Sequence, residues 1–182
     1  MTGMYIEDAR ICLAKFDARD YALAYQSWQE QDIIVAYNWQ MNRTFSEYLA
    51  SASAGGSWGA SIRDKAHGEI VGRISISPGN DPDLTITIYA GFRQNGYGVA
   101  ACRLAIRYAF SFLQLKRLTA GCYEDNTASH RMLISSGFRR HPEGDIREPH
   151  VLTGEDRLQY DFIIEERDWG RVDDTPSPVN PV

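Results

Sequence analysis

The stretch AGFRQNGYGVAACRLAIRYAF, from Ala90 to Phe110, decides the fold of this chain. Gly96 and Gly98 stand where an apolar helix begins, although glycine is among the poorest helix formers. The preceding segment, Leu84–Ala90, alternates β-branched residues with other residues and predicts a strand. Apolar residues after the glycines recur at helical spacing and predict one buried face, made of Ala101, Leu104, Ala105, Tyr108 and Phe112.

A strand, a loop of small residues and a helix N-terminus together form a site for an anion. The first N–H groups of a helix have no partner within the helix, and the helix dipole adds about half a positive charge there. Glycine at Gly96 and Gly98 lets the backbone approach a pyrophosphate closely, and Arg93 adds a positive charge at the mouth. The alternative is that the glycines only make the turn into the helix.

Two familiar phosphate motifs fit this loop poorly. A P-loop requires Lys followed by Ser or Thr after its last glycine, whereas valine and alanine follow Gly98. The segment Gly96–Ala101 does match the letters G-x-G-x-x-A of a dinucleotide site. However, the residues FRQN intervene between the strand and the first glycine of the motif, and Lys116 and Arg117 stand where an acidic residue is expected.

A third motif, R/Q-x-x-G-x-G/A, is matched fully by Arg93–Gly98. A second motif agrees with it, because Asn126-x-x-Ser129 is followed eight residues after the serine by Gly137-Phe138. Together the two motifs resemble the GNAT superfamily of N-acetyltransferases, which bind the pyrophosphate of acetyl-CoA on such a loop. The resemblance covers about residues 9–169. The late segment RLQYDFIIEERDW resembles the closing strand of the RimJ/RimL-type branch, which includes ribosomal-protein N-terminal acetyltransferases.

The resemblance implies that acetyl-CoA is the cosubstrate and that the acetyl group passes directly to an amine, without an acyl-enzyme. It also implies that the backbone of Ile88 and Tyr89 lies beside the thioester, where an amide stabilises the oxyanion. The residues implied to bind the cosubstrate are Ile88, Tyr89, Arg93, Gln94, Asn95, Gly96, Tyr97, Gly98, Val99, Asn126 and Ser129.

The acid and base of the reaction are less clearly marked in the sequence. An amine of the lysine type has a pKa of about 10.4 and must lose a proton before it attacks. Many family members have a glutamate at the start of the fourth strand; this chain has Asp83 there, which is either the base or a turn residue. Many members also have a tyrosine four residues after the motif serine, where it acts as the general acid that protonates the thiolate, but in this chain that position is Leu133. Ser129, Cys122 and Tyr123 are then candidate acids. As a possible nucleophile, Cys122 is instead predicted to be a small core residue.

The predicted elements run strand, helices, an antiparallel hairpin and then strand–helix–strand–helix–strand. This order predicts an α+β fold. The resemblance implies the GNAT fold, with a mixed central sheet of about six to seven mostly antiparallel strands flanked by about four helices. We expect one acetyltransferase domain over residues 1–170 and a disordered tail over residues 171–182, which contains three prolines.

The acceptor region implied by this fold spans Tyr21–Ser51 and Arg139–Leu158. Helices are predicted at Tyr21–Gln31 and Arg43–Ser51. Several aromatic residues there would pack the helices on the sheet or line a pocket for a cation, among them Trp28, Tyr37, Trp39, Phe45 and Tyr48.

The composition sets outer limits on function. The chain has 182 residues, 43% of them hydrophobic, which is about one domain with a sizeable core. A net charge of −5 argues against broad nucleic-acid binding and suits an amine substrate. No apolar run is long enough to span a membrane, and no secretory signal is predicted. Three cysteines and four histidines show no metal-ligand spacing, so we expect no metal and free thiols in the cytoplasm.

Two other functions remain open from the sequence. A non-catalytic CoA-binding or interaction module on the same fold would explain Leu133 at the tyrosine position. A dinucleotide-dependent oxidoreductase is a more remote alternative. The identity of the amine stays open, and the sequence is compatible with a homodimer.

Overall fold

The structure is a computed structural model that describes residues 4–54 and 56–169. The predicted tail, residues 171–182, lies outside the described residues. The strands are β1 (Met4–Glu7), β2 (Ile11–Ala14), β3 (Trp58–Asp64), β4 (Ile70–Ile76), β5 (Leu84–Ile88), β6 (Arg117–Tyr123), β7 (Arg139–Arg140), β8 (Ile146–Pro149) and β9 (Asp156–Glu165). The helices are α1 (Ala18–Ser27), α2 (Gln31–Tyr37), α3 (Phe45–Ala54), α4 (Tyr97–Ser111), α5 (Thr127–Ser135) and α6 (Glu166–Trp169).

The strands form two sheets that meet along β5 and β6. The first sheet has the order β1-β2-β3-β4-β5, with every neighbouring pair antiparallel. In the second sheet, β9 pairs antiparallel with β6, β7 and β8. A single parallel bridge between Asp83 and Thr119 joins the two sheets. The predicted α+β architecture with mostly antiparallel strands is therefore confirmed.

The described part of the chain contains more elements than the sequence predicted. Strands β1, β7 and β8 have only two to four residues, too few to show an alternating pattern. Helix α2 has seven residues and no side-chain cap, so the sequence carries no start signal for it. This missed helix forms part of the functional site.

Helices cover both faces of β5. On one face, the Tyr37 hydroxyl of α2 lies 3.0 Å from Oγ1 of Thr87. On the other face, Gly98 of α4 lies close to Ile88, because a Cβ at this glycine would be 3.8 Å from Cγ1 of the isoleucine. Side chains of successive strand residues point to opposite faces, so α2 and α4 sandwich the strand.

The predicted buried face of α4 is correct at its first three positions, whereas Tyr108 is half-buried and the last position is exposed. Ala101, Leu104 and Ala105 are buried in the main core. Phe112 follows the last helical residue, and its side chain is 64% exposed. The helical pattern ends with Ser111, so the ring turns out of the core and stacks on Tyr108 instead, with centroids 5.1 Å apart.

Candidate active site

A cleft of about 1000 Å³ separates β5 from β6 beyond their single bridge. Helix α2 borders one side, and the beginning of α5 borders the other. Six of the residues predicted from the sequence line this cleft: Asp83, Ile88, Arg93, Gln94, Asn126 and Ser129. The others lie next to it along the strand, the loop and the first turn of α4: Tyr89, Asn95, Gly96, Tyr97, Gly98 and Val99.

The glycine loop has the shape that an anion site requires. Gln94 and Gly96 both have left-handed backbone conformations, with φ of 62° and 75°. Gly96 is the N-cap of α4, so the N–H groups of residues 97–99 open the helix without helical partners. The Asn95 side chain donates to the Arg93 carbonyl at 3.0 Å and stabilises the turn. Backbone donors at a helix N-terminus are a general binding arrangement for phosphate groups.

The two glycines serve different purposes. Gly96 is required for its positive φ, which L-residues with side chains rarely adopt. A Cβ on Gly98 would lie 2.6 Å from the Met132 sulfur, so this glycine lets α4 approach α5. Only the first of the two is explained by the shape of the loop.

We expect Gly98→Ala to lower the free energy of unfolding by about 1–2 kcal/mol, because the added methyl group overpacks the contact with Met132. Denaturant unfolding of this variant, of Met132→Ala and of the double variant measures the coupling between the two positions. The double variant should lose less free energy of unfolding than the two single variants lose in sum. Strictly additive losses would contradict a direct contact as the reason for the glycine.

Arg93 is engaged by neighbouring groups in the structure. Its Nε donates to the Ile88 carbonyl at 3.0 Å, and its guanidinium forms an ion pair with Asp32. Glu30 lies 3.6 Å away on the same side. The side chain therefore connects the end of β5 to α2, and carboxylates of the α2 segment balance its charge.

A second arginine at the loop was not predicted from the sequence. The guanidinium of Arg10 lies over the Tyr97 ring, 4.2 Å from its centroid. One of its nitrogens is 3.3 Å from where a Cβ of Gly96 would be. Arg10 directly precedes β2, far from the motif in sequence, so only the folded sheet brings its positive charge to the loop.

Asp83 is both a bridge residue and part of the cleft wall. Its N–H donates to Oγ of Ser77 at 2.9 Å, and the hydroxyl of Thr85 donates weakly to its carboxylate at 3.4 Å. Burial, reinforced by the negative charge of Asp161, raises the pKa of Asp83 to about 6, although hydrogen bonds from Thr85 and Thr119 oppose the shift. A carboxyl group with this pKa in a cleft is suited to accept a proton near neutral pH.

The second sequence motif forms the beginning of α5. Asn126 is the N-cap, and its side-chain oxygen accepts the Ser129 N–H at 3.1 Å. The hydroxyl-bearing side chain of Ser129 is half-buried and lines the cleft. Leu133, at the position where many relatives have tyrosine, is buried and also lines the cleft. This helix therefore brings no phenol to the site.

A family model described as an acetyltransferase (GNAT) domain matches residues 10–139, about 70% of the chain. The chain belongs to the GNAT acetyltransferase family. Membership identifies the protein as an N-acetyltransferase. No curated protein sequence matches the chain significantly.

Solved structures share the fold of this GNAT acetyltransferase at low sequence identity. A GNAT-family acetyltransferase from Bacillus anthracis is 20% identical, with a TM-score of 0.75 over 90% of this chain and 99% of the other. Spermidine N-acetyltransferase from Vibrio cholerae, in complex with CoA and spermine, is 14% identical, with a TM-score of 0.78 over 89% and 99%. A candidate ribosomal-protein-serine acetyltransferase from Vibrio cholerae is 20% identical, with a TM-score of 0.65 over 91% and 99%.

Cys122 lines the cleft of the acetyltransferase, but its thiol is unsuited to nucleophilic attack. The side chain is 3% exposed, and burial raises its pKa to about 11. A thiol with this pKa keeps its proton at neutral pH, whereas only the thiolate is a strong nucleophile. The structure therefore agrees with the prediction of a core residue.

Two further residues of the cleft, Arg157 and Asp161, were not singled out from the sequence, and a third was named there only as an aromatic residue that would pack a helix or line a pocket. Tyr37 comes from the unpredicted helix α2. Arg157 is 9% exposed, and it donates to the Val35 carbonyl at 2.7 Å and to Asp125 at 2.8 Å. Asp161 lies 2.7 Å from a ring nitrogen of His141. These contacts join segments that are distant in the sequence, so no local sequence pattern predicts them.

The described residues of the acetyltransferase contain no cluster of three metal-binding side chains. Within the same part of the chain, no helix is long and apolar enough to cross a membrane.

Proposed function

We propose that the cleft between β5 and β6 is the site where an acetyl group passes from acetyl-CoA to a primary amine. The observation that carries the proposal is that one cleft joins the glycine loop, an open strand edge and a carboxyl group of raised pKa. The pyrophosphate would bind the N–H groups at the start of α4, where Arg10 lies over Tyr97 and Arg93 begins the loop, and Asn126 would contact the pantetheine or another part of CoA in the cleft. The thioester would lie beside Ile88.

Asp83 is the proposed base. The ammonium form of the acceptor must lose its proton, which passes to this carboxylate through water. The amine nitrogen then forms a bond to the thioester carbon, and a backbone N–H stabilises the oxyanion. The carbon–sulfur bond then breaks and the nitrogen loses its second proton. The CoA thiolate takes up a proton from the Ser129 hydroxyl, which is the proposed relay and is restored by the proton that the nitrogen loses.

A cationic acceptor suits the charges along the cleft. Four carboxylates line it, on Asp32, Asp83, Asp125 and Asp161, against two arginines, Arg93 and Arg157, which pair with Asp32 and Asp125 and leave an excess of negative charge at Asp83 and Asp161. Such a surface attracts an amine that is protonated in solution. A protein N-terminus, a polyamine and a small-molecule amine are the acceptor classes that we propose to test. The closing strand β9 supports the RimJ/RimL-type branch by its sequence, and we propose a cytoplasmic enzyme without nucleic-acid or membrane ligands.

We expect the protein to release free CoA thiol from acetyl-CoA when a suitable amine is supplied. A panel with an N-terminal peptide, a polyamine and an aminoglycoside-type amine, followed by thiol detection and mass spectrometry of the product, measures this. Binding of acetyl-CoA in calorimetry without turnover on any amine would instead favour a non-catalytic CoA-binding module. Absence of acetyl-CoA binding would overturn both functions, and gel filtration at known concentrations tests the homodimer.

A further inference from the structure

The pairing between β5 and β6 stops after one bridge, although the two strands run in the same direction. The Thr119 N–H donates to the Pro82 carbonyl at 2.9 Å, and Asp83 faces Thr119 in the bridge. Neighbouring parallel strands ordinarily continue such a ladder with evenly spaced bonds. A physical cause is therefore needed for the open cleft beyond this point.

Hydrogen-bond alternation shows which groups of β5 face the gap. The Tyr89 N–H donates to the Val71 carbonyl at 3.0 Å, and the Asp83 carbonyl accepts from Ser77 at 2.9 Å. Odd-numbered residues therefore direct their N–H and carbonyl groups toward β4. The even-numbered Leu84, Ile86 and Ile88 direct theirs toward the cleft. This also means that the Tyr89 amide is used within the sheet, so Ile88 carries the available N–H.

Two carbonyls on the open edge, those of Ile86 and Ile88, are already occupied by side chains. The Tyr37 hydroxyl donates to the Ile86 carbonyl and lies 3.0 Å from the hydroxyl of Thr87. Arg93 Nε donates to the Ile88 carbonyl at 3.0 Å. A ladder to β6 would use Leu84 first, and beyond that residue it would need these same two carbonyls as acceptors. Their N–H groups, in contrast, remain directed into the cleft.

Helix α2 is fixed to both sides of the gap and holds Tyr37 in place. On the first side, the Tyr37 ring packs edge-on against Trp28 at 4.9 Å, and Asp32 pairs with Arg93. On the second side, Arg157 of β9 donates to the Val35 carbonyl near the end of the helix. The helix thus spans the cleft and cannot follow β5 if the strand moves toward β6.

We propose that Tyr37 is a positioning residue that keeps the cleft open by occupying the Ile86 carbonyl, through which β5 would otherwise extend its pairing with β6. Its bond leaves an edge with N–H donors at Ile86 and Ile88. Such an edge suits the carbonyl oxygens of the pantetheine arm and of the thioester. The part of this inference that concerns acetyl-CoA rests on the proposed function.

Tyr37→Phe tests the inference, because it removes the hydroxyl and keeps the ring against Trp28. Tyr25→Phe is the matched control, since the Tyr25 hydroxyl also donates to a backbone carbonyl, that of Arg43 at 2.9 Å, away from the cleft. In Tyr37→Phe we expect hydrogen exchange of the Ile86 and Ile88 amides to slow by about tenfold, as the edge pairs with β6. Acetyl-CoA affinity in calorimetry should fall by about tenfold, and the control should change neither quantity.

The outcomes separate this inference from the proposed function. If Tyr37→Phe keeps the exchange pattern and the affinity of the wild type, the positioning role is overturned. The same holds if affinity falls only in parallel with the melting temperature while the exchange pattern is unchanged. If the wild-type protein fails to bind acetyl-CoA, the proposed function fails, yet the exchange comparison still decides whether Tyr37 holds the strands apart.

Discussion

Asp83→Asn should lower kcat by about 100-fold or more, the usual range for loss of a general base. The substitution keeps the size of the side chain and its contacts with Thr85 and Thr119, but the amide cannot accept a proton. In the wild type, kcat should rise with pH through an apparent pKa near 6, the value that burial gives to Asp83. This rise should be absent in the variant.

A stability measurement separates this effect from unfolding. Because the folded protein raises the pKa of Asp83 above its ordinary value of 3.8, ionisation of the carboxyl opposes folding. The protonated Asp83 carboxyl makes its full contribution to the free energy of unfolding below pH 3.8, and this contribution is lost as the pH rises through about 6. Asp83→Asn should therefore melt at a higher temperature than the wild type at pH 8, with no difference at pH 3.

The matched control for Asp83 lies two residues earlier in the same turn. Asp81 is a surface residue that forms an ion pair with Arg117, and such pairs contribute little to stability. Asp81→Asn should leave kcat and its pH dependence unchanged. If Asp83→Asn and Asp81→Asn behave alike, Asp83 is only a residue of the turn and the base lies elsewhere.

Gly96→Val should weaken acetyl-CoA binding by about 10- to 100-fold. A β-branched residue is strained at the φ of 75° that Gly96 adopts, so the turn shifts and the N–H groups of residues 97–99 lose their alignment. One lost hydrogen bond to a charged group costs about 1.5–3 kcal/mol, which corresponds to this range. Calorimetric titration with acetyl-CoA measures the change.

Gly68→Val is the control for backbone strain. Gly68 has a φ of 68°, and a Cβ there would meet nothing within 4 Å. It lies in the turn between β3 and β4, outside the cleft. We expect both variants to lose similar stability in denaturant unfolding, but only Gly96→Val to lose affinity. Equal affinities in the two variants would show that this loop does not hold the phosphates.

Much of the fold was predictable because its signals are local. Strand β5 alternates, α4 has a helical stripe, and Asn126 begins α5 as an N-cap. Each pattern depends on residues within a few positions of one another. Helix α2 shows the limit of this approach, since seven residues without a side-chain cap carry too little signal.

The sequence by itself determined the α+β class through the order of its predicted strands and helices. It determined the strand–loop–helix unit and the membership of the GNAT family through two motifs with fixed spacing. Only the tertiary structure decided the contacts of the cleft. Tyr37 reaches a carbonyl 49 residues away, and Arg93 meets a carboxylate 61 residues away. Position 98 requires a glycine because Met132 packs against it. The pKa of Asp83 is raised because neighbouring elements bury the carboxyl group. Such effects depend on which surfaces pack together, and no spacing along the chain specifies that.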